Sequence, residues 1–211
     1  MSIADLRRDY RARALSESEA HADPIVQFRQ WLDEAVQVEL LDATAMTLAT
    51  ASPEGAPAGR IVLLKDVGAD GFVFFTNYES AKAAHLEANP RACLVFFWAV
   101  LERQVRVTGV VTRVAAAQSD AYFASRPLDS QIGAWASPQS RVIADRDRLE
   151  REMTNATARF AGAAVPRPPH WGGYAVAPET IEFWQGRANR LHDRLRYHRS
   201  ADTWTIDRLA P

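Results

Sequence analysis

The residues best suited to chemistry lie near the C-terminus, in Arg190-Leu191-His192-Asp193-Arg194. Taken as a strand over 190–197, the segment sets Arg190, His192, Arg194 and Arg196 on one face, with Leu191, Leu195 and Tyr197 opposite. Like charges in a row repel, so this face needs water or an anion. Trp184-Gln185-Gly186 comes just before, and an aromatic beside a basic fork suits a planar anionic ligand. Alone, the same pattern also describes a solvated edge strand, where arginine is acceptable.

Three further clusters carry cations. Arg60-Ile61-Val62-Leu63-Leu64-Lys65 is an apolar strand bracketed by two charges. Their odd spacing puts them on opposite faces of a regular strand, so they converge only if one lies at a strand end or past a bulge. Thr76-Asn77-Tyr78-Glu79-Ser80-Ala81-Lys82 lies between a strand and a helix start, where hydroxyls, free N–H groups and Lys82 can meet a phosphate. A plain N-cap has the same signature. Tyr122 and Arg126 are four apart on a helix, and Arg126 and Ser130 flank a proline turn, so the three offer neutral and charged donors to one phosphate. Gln139-Ser140 sits just before another helix.

The elements that must position these clusters are mostly strands. Asp23-Pro24 opens a helix, with Phe28, Trp31, Leu32, Ala35 and Val36 at helical spacing. Strands are expected at 45–50, 60–65 and 71–76, followed by a short helix over 81–87. Strands over 92–100 and 104–114 form a hairpin around Leu101-Glu102-Arg103. Residues 115–125 and 141–160 read as helices, Pro166 to Pro169 as a rigid link, and 172–177, 180–185, 190–197 and 203–207 as short strands. There is no strict alternation of strand and helix and no Gly-x-Gly-x-x-Gly turn, which argues against a Rossmann sheet. A mainly β fold, an antiparallel barrel closed or partly closed with peripheral helices, fits better.

The 211 residues carry a formal net charge of −1, which disfavours a general nucleic-acid binder. Cys93 is the single cysteine, so neither an internal disulfide nor a cysteine-based metal site is possible, and its apolar surroundings mark a buried small hydrophobe. No apolar run is long enough to span a membrane and the N-terminus has no signal core, so a cytoplasmic protein is expected. Residues 1–23, with Arg7, Arg8, Arg11 and Arg13, read as a flexible arm ahead of a single domain over 24–211.

No cluster is specific alone, but together they resemble the pyridoxamine 5′-phosphate oxidase family over nearly the whole chain. The resemblance rests on Arg7-Arg8-Asp9-Tyr10, Arg60 to Lys65, Phe74-Phe75-Thr76-Asn77, Leu101-Glu102-Arg103-Gln104-Val105, and Ser125-Arg126-Pro127 with Asp129 to Trp135. It continues through Ile181 to Gly186, Arg190 to Arg194 and Ile206-Asp207-Arg208-Leu209-Ala210-Pro211. It implies an FMN-binding split β-barrel, a homodimer with FMN at the subunit interface, and oxidation of pyridoxamine or pyridoxine 5′-phosphate to pyridoxal 5′-phosphate. Dioxygen would be the acceptor and hydrogen peroxide the by-product. The alcohol gives the aldehyde directly, and the amine gives an imine that hydrolyses and releases ammonia. No nucleic acid, membrane or metal is implied.

The resemblance also assigns roles. Arg60 and Lys82 would bind the FMN phosphate with Thr76 and Ser140, and the backbone of Ile61, Val62, Leu63 and Leu64 would run along the flavin beside Lys65 and Phe75. Gln104 and Gln139 would address polar edges, and Trp184 and Arg194 would complete the flavin site from the partner subunit. Lys65, Tyr122, Arg126 and Ser130 would hold the substrate phosphate, while Arg190 and His192, with Leu191 between them, would place the pyridine ring over the flavin. Arg7, Arg8, Asp9 and Tyr10 would close over the substrate as a lid. One departure stands out: relatives often carry arginine where this chain has Ala81.

Two other readings remain open. A different split-barrel flavoprotein would keep the FMN cluster but not the substrate set. A non-enzymatic module would bind pyridoxal phosphate or another anion without flavin.

Overall fold

Asp23 caps the first helix as its type suggests, its side chain accepting from the Ile25 amide at 2.8 Å. The structure is a computed structural model describing residues 2, 10, 13–38, 42–201 and 203–211. Arg7, Arg8 and Asp9 of the lid motif, and Arg11, lie outside the described residues. Helix α1 (Pro24–Gln37) buries Phe28, Trp31 and Ala35 on its apolar face.

The strands are β1 (Ala45–Ala51), β2 (Pro57–Leu63), β3 (Asp66–Gly68), β4 (Gly71–Asn77), β5 (Arg91–Trp98), β6 (Arg103–Arg113), β7 (Trp171–Gln185), β8 (Asp193–Ser200) and β9 (Thr203–Arg208). All pairings are antiparallel, in the order β2-β1-β5-β6-β7-β4-β3, with β8 on β7 and β9 on β8. The sheet branches at β7 and curls into a half-barrel. β7 is one strand where the sequence reads as two. Its break lies at Pro178, which has no N–H to donate: Thr108 faces Thr180 but Gly109 faces Pro178, leaving Glu179 as the extra residue. Above this irregularity β7 pairs with β8, and below it with β4. The barrel expectation holds, and the bulge supplies the bend.

Alternation along the strands fills the inside. Met46, Leu48, Leu94, Phe96, Val105, Val107, Ile181, Phe183, Leu195 and Tyr197 form the core with α1, whose Phe28 ring lies 4.8 Å from Phe72 and 5.0 Å from Phe96. A second cluster joins α3 (Ala116–Ser125), α4 (Leu128–Ala136) and α5 (Arg146–Arg159) to the start of β7, through Phe123, Ile132, Ala156 and Trp171. Helix α2 (Ala81–Ala88) follows β4.

Three local expectations change. α4 was not foreseen: only Ile132 and Ala136 of its nine residues are buried, and Gly133 interrupts the pattern. α5 begins at Arg146 rather than 141, because Asp145 caps it by accepting from the Arg148 amide at 2.8 Å. Gln139 and Ser140 therefore precede a loop, not a helix N-terminus. The strand expected at 190–197 starts only at Asp193. Residues 186–192 are the β7–β8 hairpin loop, with a 3-10 turn at Ala188–Arg190 in which Asn189 (φ 56°) and Arg190 (φ 61°) are left-handed. Loop residues do not alternate, so Arg190 and His192 do not share a strand face with Arg194 and Arg196, and Leu191 is 68% exposed rather than packed beside Leu195.

Part of the N-terminal segment lies against the body. Leu15 is buried and its amide donates to Asp193 at 3.1 Å, Arg208 donates to its carbonyl at 3.1 Å, and Tyr197 donates to the His21 carbonyl at 2.8 Å. Among the described residues no helix is long and apolar enough to cross a membrane.

Candidate active site

A cavity of about 500 Å³ opens between β2, β4, α3 and α4. At one end sits Lys82, placed by the first turn of α2. Its ammonium donates to Thr76 Oγ1 (3.0 Å), Ser80 Oγ (3.1 Å) and Gln139 Oε1 (2.9 Å), all neutral partners. Burial, and then the charge of Arg60, bring its pKa down to about 8. Arg60 lies on β2 and donates from Nη1 to the Leu48 carbonyl and to Thr50 Oγ1, both at 2.8 Å. Two neighbouring cations held only by neutral acceptors form a site that an anion would stabilise.

The other end is built on aromatics. Tyr122 of α3 stacks on Phe75 of β4 at 4.1 Å, and Trp171 at the start of β7 stacks on Phe75 at 5.5 Å. Gly173 makes room: a Cβ there would lie 2.8 Å from the Phe75 ring. Arg126, at the end of α3, lies over the Trp171 ring at 4.6 Å, and Lys65 lies 6.0 Å from the centre of Tyr122. Burial pulls the Arg126 pKa down, and its Nη1 is buried without a hydrogen-bond partner in the protein. Such an orphan donor costs on the order of 1–3 kcal/mol, which an incoming anion relieves. Ser130, in the first turn of α4, lines the same end.

Arg60 and Lys65 therefore meet different partners. Lys65 lies two residues past the end of β2 and beside Tyr122, whereas Arg60 is held by Leu48 and Thr50.

A separate group occupies the sheet face opposite the core. Gln104, Trp184 and Arg194 face one another across β6, β7 and β8. Glu182 holds Arg194, accepting from its Nε at 2.8 Å, and the same guanidinium donates from Nη1 to the Ala210 carbonyl at 2.8 Å. Trp184 lies 4.6 Å from His192 and 5.6 Å from Tyr10, ring to ring. Gly186 leaves space for Tyr10, whose ring a Cβ there would meet at 2.7 Å. The Arg187 amide donates to His192 Nδ1 at 3.1 Å, so that nitrogen is unprotonated and the ring proton sits on Nε2. Burial and the nearby charge of Arg190 lower the His192 pKa, which favours the same neutral form.

The structure thus brings Ile61, Val62, Leu63, Lys65, Phe75, Thr76, Lys82, Tyr122, Arg126, Ser130 and Gln139 to one cavity. Arg60 stands beside it, near enough to perturb Lys82. Gln104, Trp184, Arg190, Leu191, His192, Arg194 and Tyr10 are not on its lining. Leu64 turns its side chain into the core, and Ser140 is an exposed left-handed residue (φ 69°) off the lining. Sequence reasoning passed over Trp171 and Ser137, which do line the cavity. For Trp171 the signal was present: two glycines follow it, a composition that suits close aromatic packing.

These residues fit FMN and a small phosphorylated substrate, offering two sets of anion donors and an aromatic wall. Fold and cavity define a split half-barrel whose cavity carries cationic side chains and an aromatic wall. The family model for pyridoxamine 5′-phosphate oxidase matches residues 32–160, and that for the pyridoxine 5′-phosphate oxidase C-terminal dimerisation region matches residues 171–211. The chain is 59% identical over 209 residues to a protein of Thermosynechococcus vestitus, covering 99% of both chains. It is 54% identical over 211 residues to one of Cyanothece sp., covering 100% of this chain and 99% of that one. Both relatives are named pyridoxine/pyridoxamine 5′-phosphate oxidase. Among solved structures, PhzG from Burkholderia lata in complex with tetrahydrophenazine-1-carboxylic acid superposes with a TM-score of 0.88 at 28% identity, over 94% of this chain and 98% of that one. A pyridoxamine 5′-phosphate oxidase-related, FMN-binding protein of Nostoc punctiforme shares the fold, with a TM-score of 0.71 at 20% identity over 87% of this chain and 97% of that one. The chain belongs to the pyridoxamine 5′-phosphate oxidase family and is an oxidoreductase.

Proposed function

We propose that the protein is an FMN-dependent oxidase converting pyridoxamine 5′-phosphate and pyridoxine 5′-phosphate to pyridoxal 5′-phosphate, acting as a homodimer with FMN between the subunits. The observation that carries this reading is one cavity with two sets of anion donors, Lys82 with Arg60 standing beside it, and Lys65 with Arg126. Two phosphates, one on the cofactor and one on the substrate, match them.

The redox chemistry is what bound FMN supplies: removal of a hydride from C4′ of the substrate, with dioxygen as the final acceptor. The protein's own residues bind and orient. Arg60 and Lys82 hold the cofactor phosphate, with Thr76 and Gln139 fixing the ammonium. Lys65, Tyr122, Arg126 and Ser130 hold the substrate phosphate. Trp184, Gln104 and Arg194 lie on another face of the same chain, so they complete the flavin site of the partner subunit. Arg190 and neutral His192, whose proton sits on Nε2, position the pyridine ring, and Tyr10 packs over them as a cover. No side chain acts as nucleophile.

The test is aerobic incubation of the flavin-loaded protein with each phosphorylated vitamer. Pyridoxal 5′-phosphate absorbance and hydrogen peroxide are expected in step, and neither forming would reject the reading. The likeness to PhzG, solved with tetrahydrophenazine-1-carboxylic acid, favours a second reading, a reduced phenazine carboxylic acid as the substrate. Turnover of tetrahydrophenazine-1-carboxylic acid without turnover of either vitamer would select it.

A further inference from the structure

We propose that Thr50 and His85 are positioning residues for the cofactor phosphate, acting through Arg60. The proposal rests on the FMN reading above.

The Nη1 group of Arg60 carries two hydrogens, and both are engaged, by the Leu48 carbonyl and by Thr50 Oγ1 at 2.8 Å each. That leaves the Nε–Nη2 edge of the fork, a geometry suited to two phosphate oxygens. Thr50 is buried on β1, so its own hydroxyl proton needs an acceptor inside the protein. His85 Nδ1, on α2, lies 3.1 Å from Thr50 Oγ1. The hydroxyl has one proton to place and His85 Nδ1 is within reach, so the relay has Thr50 donating to Nδ1, with the imidazole's own proton on Nε2. The result is a directed relay from β2 through β1 to α2. His85 follows Lys82 by three residues, so both lie on one side of α2. One face of a single short helix thus places Lys82 directly and orients Arg60 through Thr50. Without the relay the guanidinium keeps its charge and the Leu48 carbonyl but loses the second of its two anchors.

The test compares FMN with riboflavin, which lacks the phosphate. Both are titrated into the full-length flavin-free protein and followed by quenching of flavin fluorescence. Thr50→Val keeps the volume but removes the hydroxyl. It is expected to weaken FMN binding about tenfold, the loss of roughly one oriented hydrogen bond, while riboflavin affinity stays the same. Thr50→Ser should restore FMN binding, and His85→Leu should weaken it about threefold, again sparing riboflavin. Thermal melting of each flavin-free variant reports its folding. Thr50→Val binding FMN as tightly as the unaltered protein, or losing FMN and riboflavin equally, would overturn the relay. His85→Leu binding FMN normally would overturn the part assigned to His85. If the unaltered protein shows no preference for FMN over riboflavin, the cofactor reading itself fails and the relay falls with it.

Discussion

At the scale of single residues, charge and its neutral partners decide what the cavity can do. Lys82 has a pKa of about 8 before any anion arrives, and a bound phosphate must raise it. Binding then takes up a proton above that value, so FMN affinity should be highest below about pH 8 and fall as pH rises through it. Fluorescence titration between neutral and alkaline pH checks this; a flat profile would contradict it. His192 has the opposite relevance. Its pKa is lowered and Nδ1 already accepts the Arg187 amide, so the neutral ring is the working form. Turnover should hold down through the ordinary imidazole range and fail only at more acid pH. The two nearby arginines separate by assay. Arg190→Ala should cut turnover by on the order of a hundredfold with flavin retained, since it removes a positioning group. Arg194→Ala should instead lower flavin affinity and leave Glu182 without its Arg194 partner.

At the scale of elements, the hairpin ends are braced where the site loop begins. Arg103 is 4% exposed, donates to Gln185 Oε1 at 3.0 Å and to Glu34 at 2.9 Å, and lies over the Trp31 ring at 4.2 Å. The Gly186 amide donates to the Glu102 carbonyl at 2.8 Å, tying the β5–β6 turn to the start of the β7–β8 loop. The Leu101-Glu102-Arg103-Gln104 and Trp184-Gln185-Gly186 motifs therefore meet and support each other. Glu34→Ala would strand a largely buried guanidinium and should cost about 2 kcal/mol, discounted because Glu34 is partly exposed. Urea denaturation measures it, and a change within error would place the brace elsewhere. This loop also shows where sequence reasoning stops. The 190–197 alternation was legible, but the left-handed turn at Asn189 and Arg190 interrupts it; Asn189 suits that conformation, whereas the arginine after it gives no such signal.

At the scale of the molecule, the proposed flavin site is divided. Lys82, Thr76 and Gln139 line the cavity, while Gln104, Trp184 and Arg194 sit on the outer sheet face of the same chain. In the proposed homodimer one subunit would supply the cavity group and its partner the sheet-face group to the same flavin. Residues 171–211 match the family's dimerisation region, and they carry Trp184 and Arg194. The purified protein should therefore have the mass of a dimer under native conditions, and flavin should dissociate as dilution drives it toward monomer. Flavin retained by a protein shown to be monomeric would refute the shared site.

The sequence by itself determined the mainly antiparallel β fold, the alternation that fills the core, the helix at Asp23-Pro24, and the residue types of both proposed phosphate-binding sets. These depend on local periodicity and chemistry, which a chain carries in its order of residues. Only the tertiary structure decided that Lys65 meets Tyr122 while Arg60 meets Thr50, that Trp171 joins the cavity wall, and that β7 runs through Pro178 as one bent strand. It also decided that Arg190 and His192 stand on a loop apart from the Arg194 strand face. Each of these depends on which strand lies beside which and where backbone hydrogen bonds leave off, and those are set by contacts between residues far apart in the chain.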